Sequence, residues 1–199
     1  MAYFPHSLSF LIDNRLRRLL VSPRQLCERL ALRRDADVLE IGPGSGYFSV
    51  ELAGQIPDGR LVLFDLQRAM LSKARRKIER AGLTNVSLAQ GDASRLPFPD
   101  ESFDAAVLVA VLGEVADQSG CLRSLWRVLR PGGTLAFHEH LPDPDFIHAG
   151  KLKAIVEPEG FRLRGIIGSK WNYTALFCKM NSTPCYTDGS NRVERRPEQ

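Results

Sequence analysis

A glycine-rich turn that follows an apolar segment is the clearest candidate for chemistry in this chain. Residues 38–47 read Val-Leu-Glu-Ile-Gly-Pro-Gly-Ser-Gly-Tyr, with Glu40 ahead of glycines at alternate positions. Glycine adopts backbone conformations closed to other residues and places no Cβ between the main chain and a ligand. At the start of a helix, such a turn lets backbone amides approach a nucleotide-like ligand. A dinucleotide-binding turn would require glycine where this chain has Tyr47, so the spacing argues against a pyrophosphate ligand.

Two acidic residues further along the chain have the spacing expected of the same site. Asp65 follows the next apolar segment, 23 residues after Gly42, which is the length of a strand-helix-strand unit. A carboxylate there is suited to accept hydrogen bonds from both hydroxyls of a ribose. Asp92 and Ala93 follow the third apolar segment, where an acid and the next backbone amide could recognise an adenine edge. Taken singly, Asp65 could instead cap a helix and Asp92 could be a turn residue.

The elements that must position these residues alternate between strands and helices from Asp37 to Lys179. Strands are predicted near 37–42, 60–65, 86–91, 103–110, 133–139, 161–168 and 173–179. Alternation of this kind predicts a parallel sheet with helices on both faces. The short link around Trp171 and Asn172 predicts that the last two strands form an antiparallel hairpin.

The predicted helices are recognised by their apolar faces. One has Met70, Ala74, Ile78 and Ala81 on one face and ends at Gly82. The next is predicted from its apolar residues Leu122, Leu125, Trp126 and Leu129, with Pro131-Gly132-Gly133 as its end. In a sheet of this type the ligand lies beyond the carboxyl ends of the strands, where the strand order switches.

Two segments flank this core. Residues 1–36 are predicted to be a helical extension or lid, with Ser22-Pro23 starting a second helix. This segment has a net charge of +4, equal to that of the whole chain. The excess positive charge is therefore confined to this segment and bears on a local surface. Its arginines could be solvated or could dock anionic lipid or nucleic acid. Residues 180–199 are polar and are predicted to be disordered.

The motifs together resemble those of class I S-adenosylmethionine-dependent methyltransferases, of the ubiquinone/menaquinone-biosynthesis type and the methyltransferase type 11-like group. The similarity covers the glycine turn, Asp65, the segment 91–104 and the segment 125–133. It implies a Rossmann-like α/β fold with a seven-stranded, mostly parallel sheet, an antiparallel last strand, helices on both faces and the helical N-terminal extension. It also implies S-adenosyl-L-methionine as cofactor, in contact with residues after the first three strands: Glu40, Gly42, Gly44, Asp65, Leu66, Asp92 and Ala93.

The reaction implied is transfer of a methyl group to a small or lipophilic molecule by in-line displacement. Positioning contributes most of the catalysis in such a reaction, so few obligatory side chains are expected. No signature of the acceptor atom, the pathway or the oligomeric state is present. Glu114 and His140 are the candidates for an acid–base role, while Gly113 stands where relatives often have histidine. The alternatives are an RNA methyltransferase and a non-catalytic module that binds S-adenosylmethionine.

The segment from His138 to Asp145 contains histidines and carboxylates, which are residue types that bind metals. His138 and His140 lie on the same side of a strand with carboxylates nearby, but prolines favour a rigid loop at the pocket edge with solvated histidines. We therefore predict no metal.

The four cysteines lack metal-binding or disulfide spacing and are predicted to be reduced and structural. No apolar run reaches transmembrane length and no secretory signal is recognised, so a cytoplasmic protein is expected.

Overall fold

A computed structural model describes residues 22–180, which contain seven strands and five α-helices. The strands are β1 (Asp37–Ile41), β2 (Arg60–Asp65), β3 (Val86–Gln90), β4 (Phe103–Val109), β5 (Leu129–His140), β6 (Phe161–Ser169) and β7 (Asn172–Lys179). The helices are α1 (Pro23–Leu30), α2 (Ser49–Gln55), α3 (Arg68–Arg80), α4 (Gln118–Val128) and α5 (Ala149–Val156). Single turns of 3-10 helix lie at Ala93–Arg95, Leu112–Glu114 and Glu157–Glu159. The predicted extension before residue 22 and the predicted disordered tail after residue 180 lie outside the described residues.

The seven strands form one sheet in the order β3-β2-β1-β4-β5-β7-β6. The first five strands run parallel, and β7 pairs antiparallel with both β5 and β6, which confirms the predicted hairpin. Helices α1, α2 and α3 bury their apolar sides on one face, and α4 and α5 bury theirs on the other. The chain therefore has the doubly wound architecture predicted from its alternating pattern.

Local sequence signals explain where several elements begin and end. The Ser22 side chain accepts a hydrogen bond from the amide of Gln25, and Pro23 occupies the first turn of α1. In α3 the buried side chains include Met70, Ala74 and Ile78, as predicted. The predicted fourth member, Ala81, follows the helix and is exposed.

The prediction for α4 and β5 was wrong in two respects. Helix α4 ends at Val128, so Leu129 belongs to β5, where it pairs with Phe103. Trp126 lies 39 % exposed at the edge of the helix instead of in its buried face. The buried lysine Lys179 explains part of this arrangement, because its Nζ atom donates to the Leu129 carbonyl at 2.8 Å and lies 4.2 Å from the Trp126 ring centroid.

An ionic cluster holds the amino ends of the central strands together. The Asp104 carboxylate accepts hydrogen bonds from the backbone amide of Asp37, at 2.8 Å, and from the Arg130 guanidinium, at 2.5 Å. Arg130 also donates to the Asp37 carboxylate at 2.9 Å. Asp104 therefore has a structural role. This end of the sheet stabilises the fold and lies opposite the carboxyl ends of the strands.

The described cysteines are buried and form no disulfide with one another. They are Cys27, Cys121 and Cys178. Burial is the main reason that the pKa of both Cys27 and Cys121 rises to about 12, which keeps these thiols protonated and unreactive at neutral pH. Between residues 22 and 180, no helix combines the length and the apolar character needed to cross a bilayer.

Candidate cofactor site

A cavity of about 270 Å³ opens at the carboxyl ends of β1 and β4. The strand order reverses between these two strands, because β2 and β3 lie on one side of β1 and β4 lies on the other. This is where ligands bind in open α/β sheets. The cavity is lined by all seven residues predicted to contact the cofactor: Glu40, Gly42, Gly44, Asp65, Leu66, Asp92 and Ala93.

The glycine turn forms one wall of this cavity, and its three glycines have different roles. Gly42 has φ +64°, and a Cβ on it would lie 2.5 Å from a methyl carbon of Val111. Gly44 has φ +54°, and a Cβ there would meet no protein atom within 4 Å. Gly46 packs against α3, since a Cβ would lie 2.9 Å from the Cα of Ala74. Only Gly44 therefore combines a left-handed backbone with open space, as close approach of a ligand to the main chain requires.

Glu40 lies on β1 beneath the turn, and its side chain is almost completely buried. The residue is 2 % exposed, and its Oε2 atom accepts a hydrogen bond of 2.6 Å from the Ser49 hydroxyl at the start of α2. Burial raises the pKa of Glu40 from 4.5 to about 7, while the hydrogen bond from Ser49 opposes that rise. A positive charge on a ligand in the cavity would stabilise the ionised carboxylate.

Asp65 is the last residue of β2 and lines the same cavity beside the glycine turn. Its Oδ1 atom accepts a hydrogen bond of 2.7 Å from the amide of Gln67, so the carboxylate also shapes the turn into α3. Burial raises the pKa of Asp65, although hydrogen bonds from the backbone amides of Gln67 and Gly44 oppose the effect. Leu66 follows at the rim of the cavity and is 46 % exposed, leaving an apolar surface on which a flat ring could pack.

Asp92 and Ala93 lie just beyond β3. The Asp92 carboxylate accepts a hydrogen bond of 2.8 Å from the amide of Ser94, which caps the short helix at Ala93–Arg95 and lowers the pKa of Asp92. Asp92 thus has a capping role in the structure, whereas Asp65 does not cap α3, whose N-cap residue is Gln67. Both residues also line the cavity, because each turn occupies a strand end that faces the cavity.

The segment after β4 closes the cavity and contains Glu114. Gly113, beside it, has no room for a side chain, since a Cβ would lie 2.1 Å from the Asp145 carbonyl oxygen. The loop after β5 therefore fills the space that a histidine at position 113 would require. The same loop contributes Asp143 to the cavity lining, and the start of α4 contributes Asp117. The sequence reasoning did not assign these two residues to the site, although Asp143 follows a strand end, as the other acids do.

The prediction that His138 and His140 are solvated residues at a pocket-edge loop was wrong. His138 and His140 belong to β5, are 2 % and 6 % exposed, and have ring centroids 5.8 Å apart. The Nδ1 atom of His138 lies 3.0 Å from the Thr174 hydroxyl, which also accepts a hydrogen bond from Arg29 of α1. Neither histidine is among the residues that line the cavity. No group of three or more His, Cys, Asp or Glu side chains within residues 22–180 is arranged to hold a metal ion.

The cavity is strongly acidic. Its lining contains six carboxyl groups and, among the residues of the structure that are described, neither a lysine nor an arginine. The six are Glu40, Asp65, Asp92, Glu114, Asp117 and Asp143. Such a wall repels phosphate and pyrophosphate groups and favours a ligand that is positively charged or rich in hydroxyl donors.

The central part of this chain is similar to known sequences. Residues 39–137 match the family model described as a methyltransferase domain. The demethylmenaquinone methyltransferase of Listeria monocytogenes serovar 1/2a is 36 % identical over 114 residues, which cover 57 % of this chain and 48 % of that protein. The ubiquinone/menaquinone biosynthesis C-methyltransferase of Enterobacter sp. (strain 638) is 39 % identical over 106 residues, 52 % of this chain and 42 % of that protein. The chain thus spans about half the length of the curated relatives it matches.

Comparison with solved structures supports the fold. A SAM-dependent methyltransferase from Aquifex aeolicus superposes with a TM-score of 0.83 at 21 % identity, over 89 % of this chain and 100 % of that chain. The YcgJ protein of Bacillus subtilis superposes with a TM-score of 0.66 at 17 % identity, over 80 % of this chain and 98 % of that chain. The Rossmann-like architecture predicted from sequence is confirmed.

Proposed function

We propose that this chain, whose residues 39–137 match the methyltransferase-domain model, binds S-adenosyl-L-methionine in the acidic cavity and transfers its methyl group to a small or lipophilic molecule. The charge of the cavity is the observation that carries the proposal. The cofactor has a positively charged sulfonium, an ammonium group and a ribose with two hydroxyls. A wall of six carboxyl groups beside a glycine turn suits those groups and is unsuited to a dinucleotide.

Different lining residues would contact different parts of the cofactor. Asp65 would hold the ribose hydroxyls, since its carboxylate lies at the end of β2 and faces the cavity. Asp92 and Ala93 would contact the adenine edge, with Leu66 against the flat face of the ring. Gly44 leaves the open space that close approach of the ligand to the turn needs.

The methionine end of the cofactor would lie near Glu40 and Gly42. Glu40 is 2 % exposed, and burial raises its pKa to about 7, so the residue gains most from a nearby cation. An ammonium or sulfonium group would draw the carboxyl into its ionised form. In return, the carboxylate would fix the orientation of that end of the ligand.

When bound, the cofactor supplies an activated methyl group on a positively charged sulfur. The residues of this chain have to align the acceptor with that methyl group and exclude water, and such alignment accounts for about 7–11 kcal/mol of barrier lowering. Val111 and Glu114, beyond β4, line the cavity where an acceptor would enter. Glu114 is better placed than His140 to remove a proton from the acceptor, because His140 is buried in β5 and does not line the cavity.

The acceptor class is suggested by the relatives. Two of the proteins with matching sequences are named for demethylmenaquinone and for ubiquinone/menaquinone biosynthesis, which favours a lipophilic, quinone-type acceptor. Both relatives are bacterial biosynthetic enzymes, and we include a cytoplasmic location in the proposal on that basis. RNA is the competing acceptor, favoured by helix α3, which contains six basic residues and one acid and contributes Met70 to the cavity lining.

Binding of the cofactor is tested by isothermal titration calorimetry with S-adenosyl-L-methionine and with NAD⁺. Micromolar binding of the first and none of the second is expected. Asp65→Asn keeps an oxygen for the Gln67 amide but removes the charge, so it should weaken binding by about 10- to 100-fold, the value of one or two hydrogen bonds to a charged group. Asp58→Asn is the matched control, because Asp58 is an exposed carboxylate that pairs with Arg34. Equal affinity of the two variants would refute the assignment of Asp65.

Transfer is tested by incubating the protein with methyl-labelled cofactor and separate lipid, polar small-molecule and RNA fractions of a cell extract. Label is expected in the lipid fraction. Label in RNA alone would favour the competing acceptor. Cofactor binding without label in any fraction would argue for a non-catalytic module.

A further inference from the structure

A group of exposed apolar side chains lies at the tip of the β6–β7 hairpin and on the loop next to it. Leu141 is 40 % exposed, Ile166 44 %, Ile167 42 % and Trp171 46 %. These are four of the six large apolar residues that are exposed within residues 22–180. Exposed apolar side chains are ordinary when they are scattered, but a group of them marks a surface used for contact. We call Leu141, Ile166, Ile167 and Trp171, with Lys170 between them in the turn, the hairpin-tip surface.

This surface lies at the edge of the sheet where the cofactor cavity opens. His140, the last residue of β5, pairs with Asn172, and Asn172 pairs with Ser169 across the hairpin. The tip is therefore level with the carboxyl end of β5. The amide of Leu141 donates a hydrogen bond of 2.9 Å to the Trp171 carbonyl, which joins the loop after β5 to the tip. That same loop supplies Asp143 to the cavity lining.

Contacts within the chain order the hairpin tip. The Ser169 hydroxyl accepts hydrogen bonds from the amides of Trp171 and Asn172, at 3.3 and 3.1 Å. Gly168 has φ +123°, and a Cβ on it would lie 2.3 Å from the Asn172 carbonyl oxygen, so this tight turn requires glycine. The His148 ring packs 5.9 Å from the Trp171 ring. Trp171 thus projects from an ordered turn, which reduces the entropy lost on docking.

The charge of the hairpin indicates the chemistry of the partner. Between Glu159 and Asp188 the sequence contains no acidic residue. Lys170 is exposed at the tip, where its ammonium lies 4.9 Å from the Trp171 ring centroid, and Arg164 is exposed further along β6. Tryptophan beside lysine, with aliphatic side chains around them, is the composition of a protein surface that inserts into the interface of a bilayer. Each basic residue near an anionic membrane contributes about 1 kcal/mol of attraction.

We propose that the hairpin-tip surface docks the protein on a membrane that contains anionic phospholipid, with the cavity opening beside the bilayer. The docking is inferred from this surface alone. Its use, which is to take a lipophilic acceptor directly from the bilayer, rests on the proposed function. RNA is the less suitable partner for this surface, because phosphate recognition leaves the four aliphatic and aromatic side chains without a role.

The test uses the full chain and vesicles of phosphatidylcholine, either alone or mixed with phosphatidylglycerol. The chain has two tryptophans, so Trp126→Phe leaves Trp171 as the only tryptophan. Mixed vesicles should shift its emission to shorter wavelength and protect it from acrylamide, whereas phosphatidylcholine alone should have a much smaller effect. Co-sedimentation of the unmodified chain measures the affinity independently of the fluorescence.

Variants separate the hairpin from the other basic surfaces. Leu141→Ala with Trp171→Ala should weaken vesicle binding by more than about tenfold, because two large apolar side chains no longer enter the interface. Lys170→Gln should weaken it by about fivefold. The matched control is Arg76→Gln, which removes one exposed charge from α3 and should leave vesicle binding unchanged.

The proposal is overturned if the Leu141→Ala/Trp171→Ala variant binds mixed vesicles as well as the unmodified chain does, or if Trp171 emission does not respond. Stronger dependence on Arg76 than on Trp171, or RNA that competes with vesicles through α3, would also overturn it. Cofactor titration of the same variants should be unaffected. A protein that binds vesicles but not cofactor would refute the proposed function and leave the docking surface intact.

Discussion

Replacing Glu40 by glutamine is expected to flatten the dependence of protein stability on pH. Glu40 is 2 % exposed, and burial raises its pKa in the folded chain from 4.5 to about 7. Glutamine has nearly the same shape, and its carbonyl oxygen can accept the hydrogen bond that the Ser49 hydroxyl now donates to the carboxylate. The variant therefore removes the ionisation and preserves the packing.

The sign and size follow from proton linkage. Because the folded-state pKa of Glu40 lies above that of an unfolded glutamate, the contribution of Glu40 is fully present below pH 4.5 and is lost as pH rises through 7. A pKa that moves from 4.5 to about 7 corresponds to about 3 kcal/mol in total, of which about 2–3 kcal/mol is lost between pH 5 and 8. Glu139, which is 1 % exposed and also has its pKa raised to about 7 by burial, contributes in the same direction.

The measurement is urea unfolding followed by circular dichroism at several pH values from 5 to 8, without cofactor. Glu40→Gln should lose about 2–3 kcal/mol less than the unmodified chain across this range. Glu28→Gln, which removes an exposed carboxylate paired with Arg24, should follow the unmodified chain. If the Glu40→Gln and unmodified curves run parallel, Glu40 does not ionise within this range and the reasoning from burial is refuted.

Three other substitutions test the site and its surroundings. Gly44→Ala places a side chain at φ +54°, which costs about 1–2 kcal/mol. The protein should stay folded, because the new Cβ would meet no protein atom within 4 Å. Cofactor affinity, measured by titration calorimetry, should fall. Gly113→His should lower the melting temperature, because a Cβ would lie 2.1 Å from the Asp145 carbonyl oxygen and such overpacking costs about 1–3 kcal/mol; an unchanged melting temperature would show that the loop moves freely. Thr174→Val removes the hydroxyl that accepts from Arg29, and urea unfolding should reveal a loss of about 1–3 kcal/mol, whereas Thr174→Ser should retain most of the stability.

Much of the fold was predictable from short-range patterns. Apolar segments identified seven strands, helical apolar spacing identified helices between them, and the short link near Trp171 identified the antiparallel hairpin. Boundaries were harder to predict where two patterns overlap. The end of α4 was misplaced because Leu129 continues the helical spacing, yet it pairs with Phe103 in the sheet. Pairing with a distant strand sets that boundary, and this pairing cannot be inferred from the local sequence.

The candidate site was predictable to the extent that parallel strands end at one edge. Any polar residue just after such a strand is brought to that edge, so Glu40, Asp65 and Asp92 could be grouped before their distances were known. The burial of His138 and His140 could not be predicted in this way. It depends on the pairing of β5 with β7 and on the contact of His138 with Thr174, which join residues far apart in the sequence.

The sequence by itself determined the alternation of strands and helices and the glycine turn, because both depend on the spacing of residues that are close together in the sequence. It also determined the chemistry of the residues at the strand ends. Only the tertiary structure decided that Asp117 and Asp143 join the other four carboxyl groups in one acidic cavity, and that the loop after β5 takes the space beside Gly113. These outcomes depend on how separate loops meet at the edge of the sheet, and that meeting is set by the packing of the whole domain.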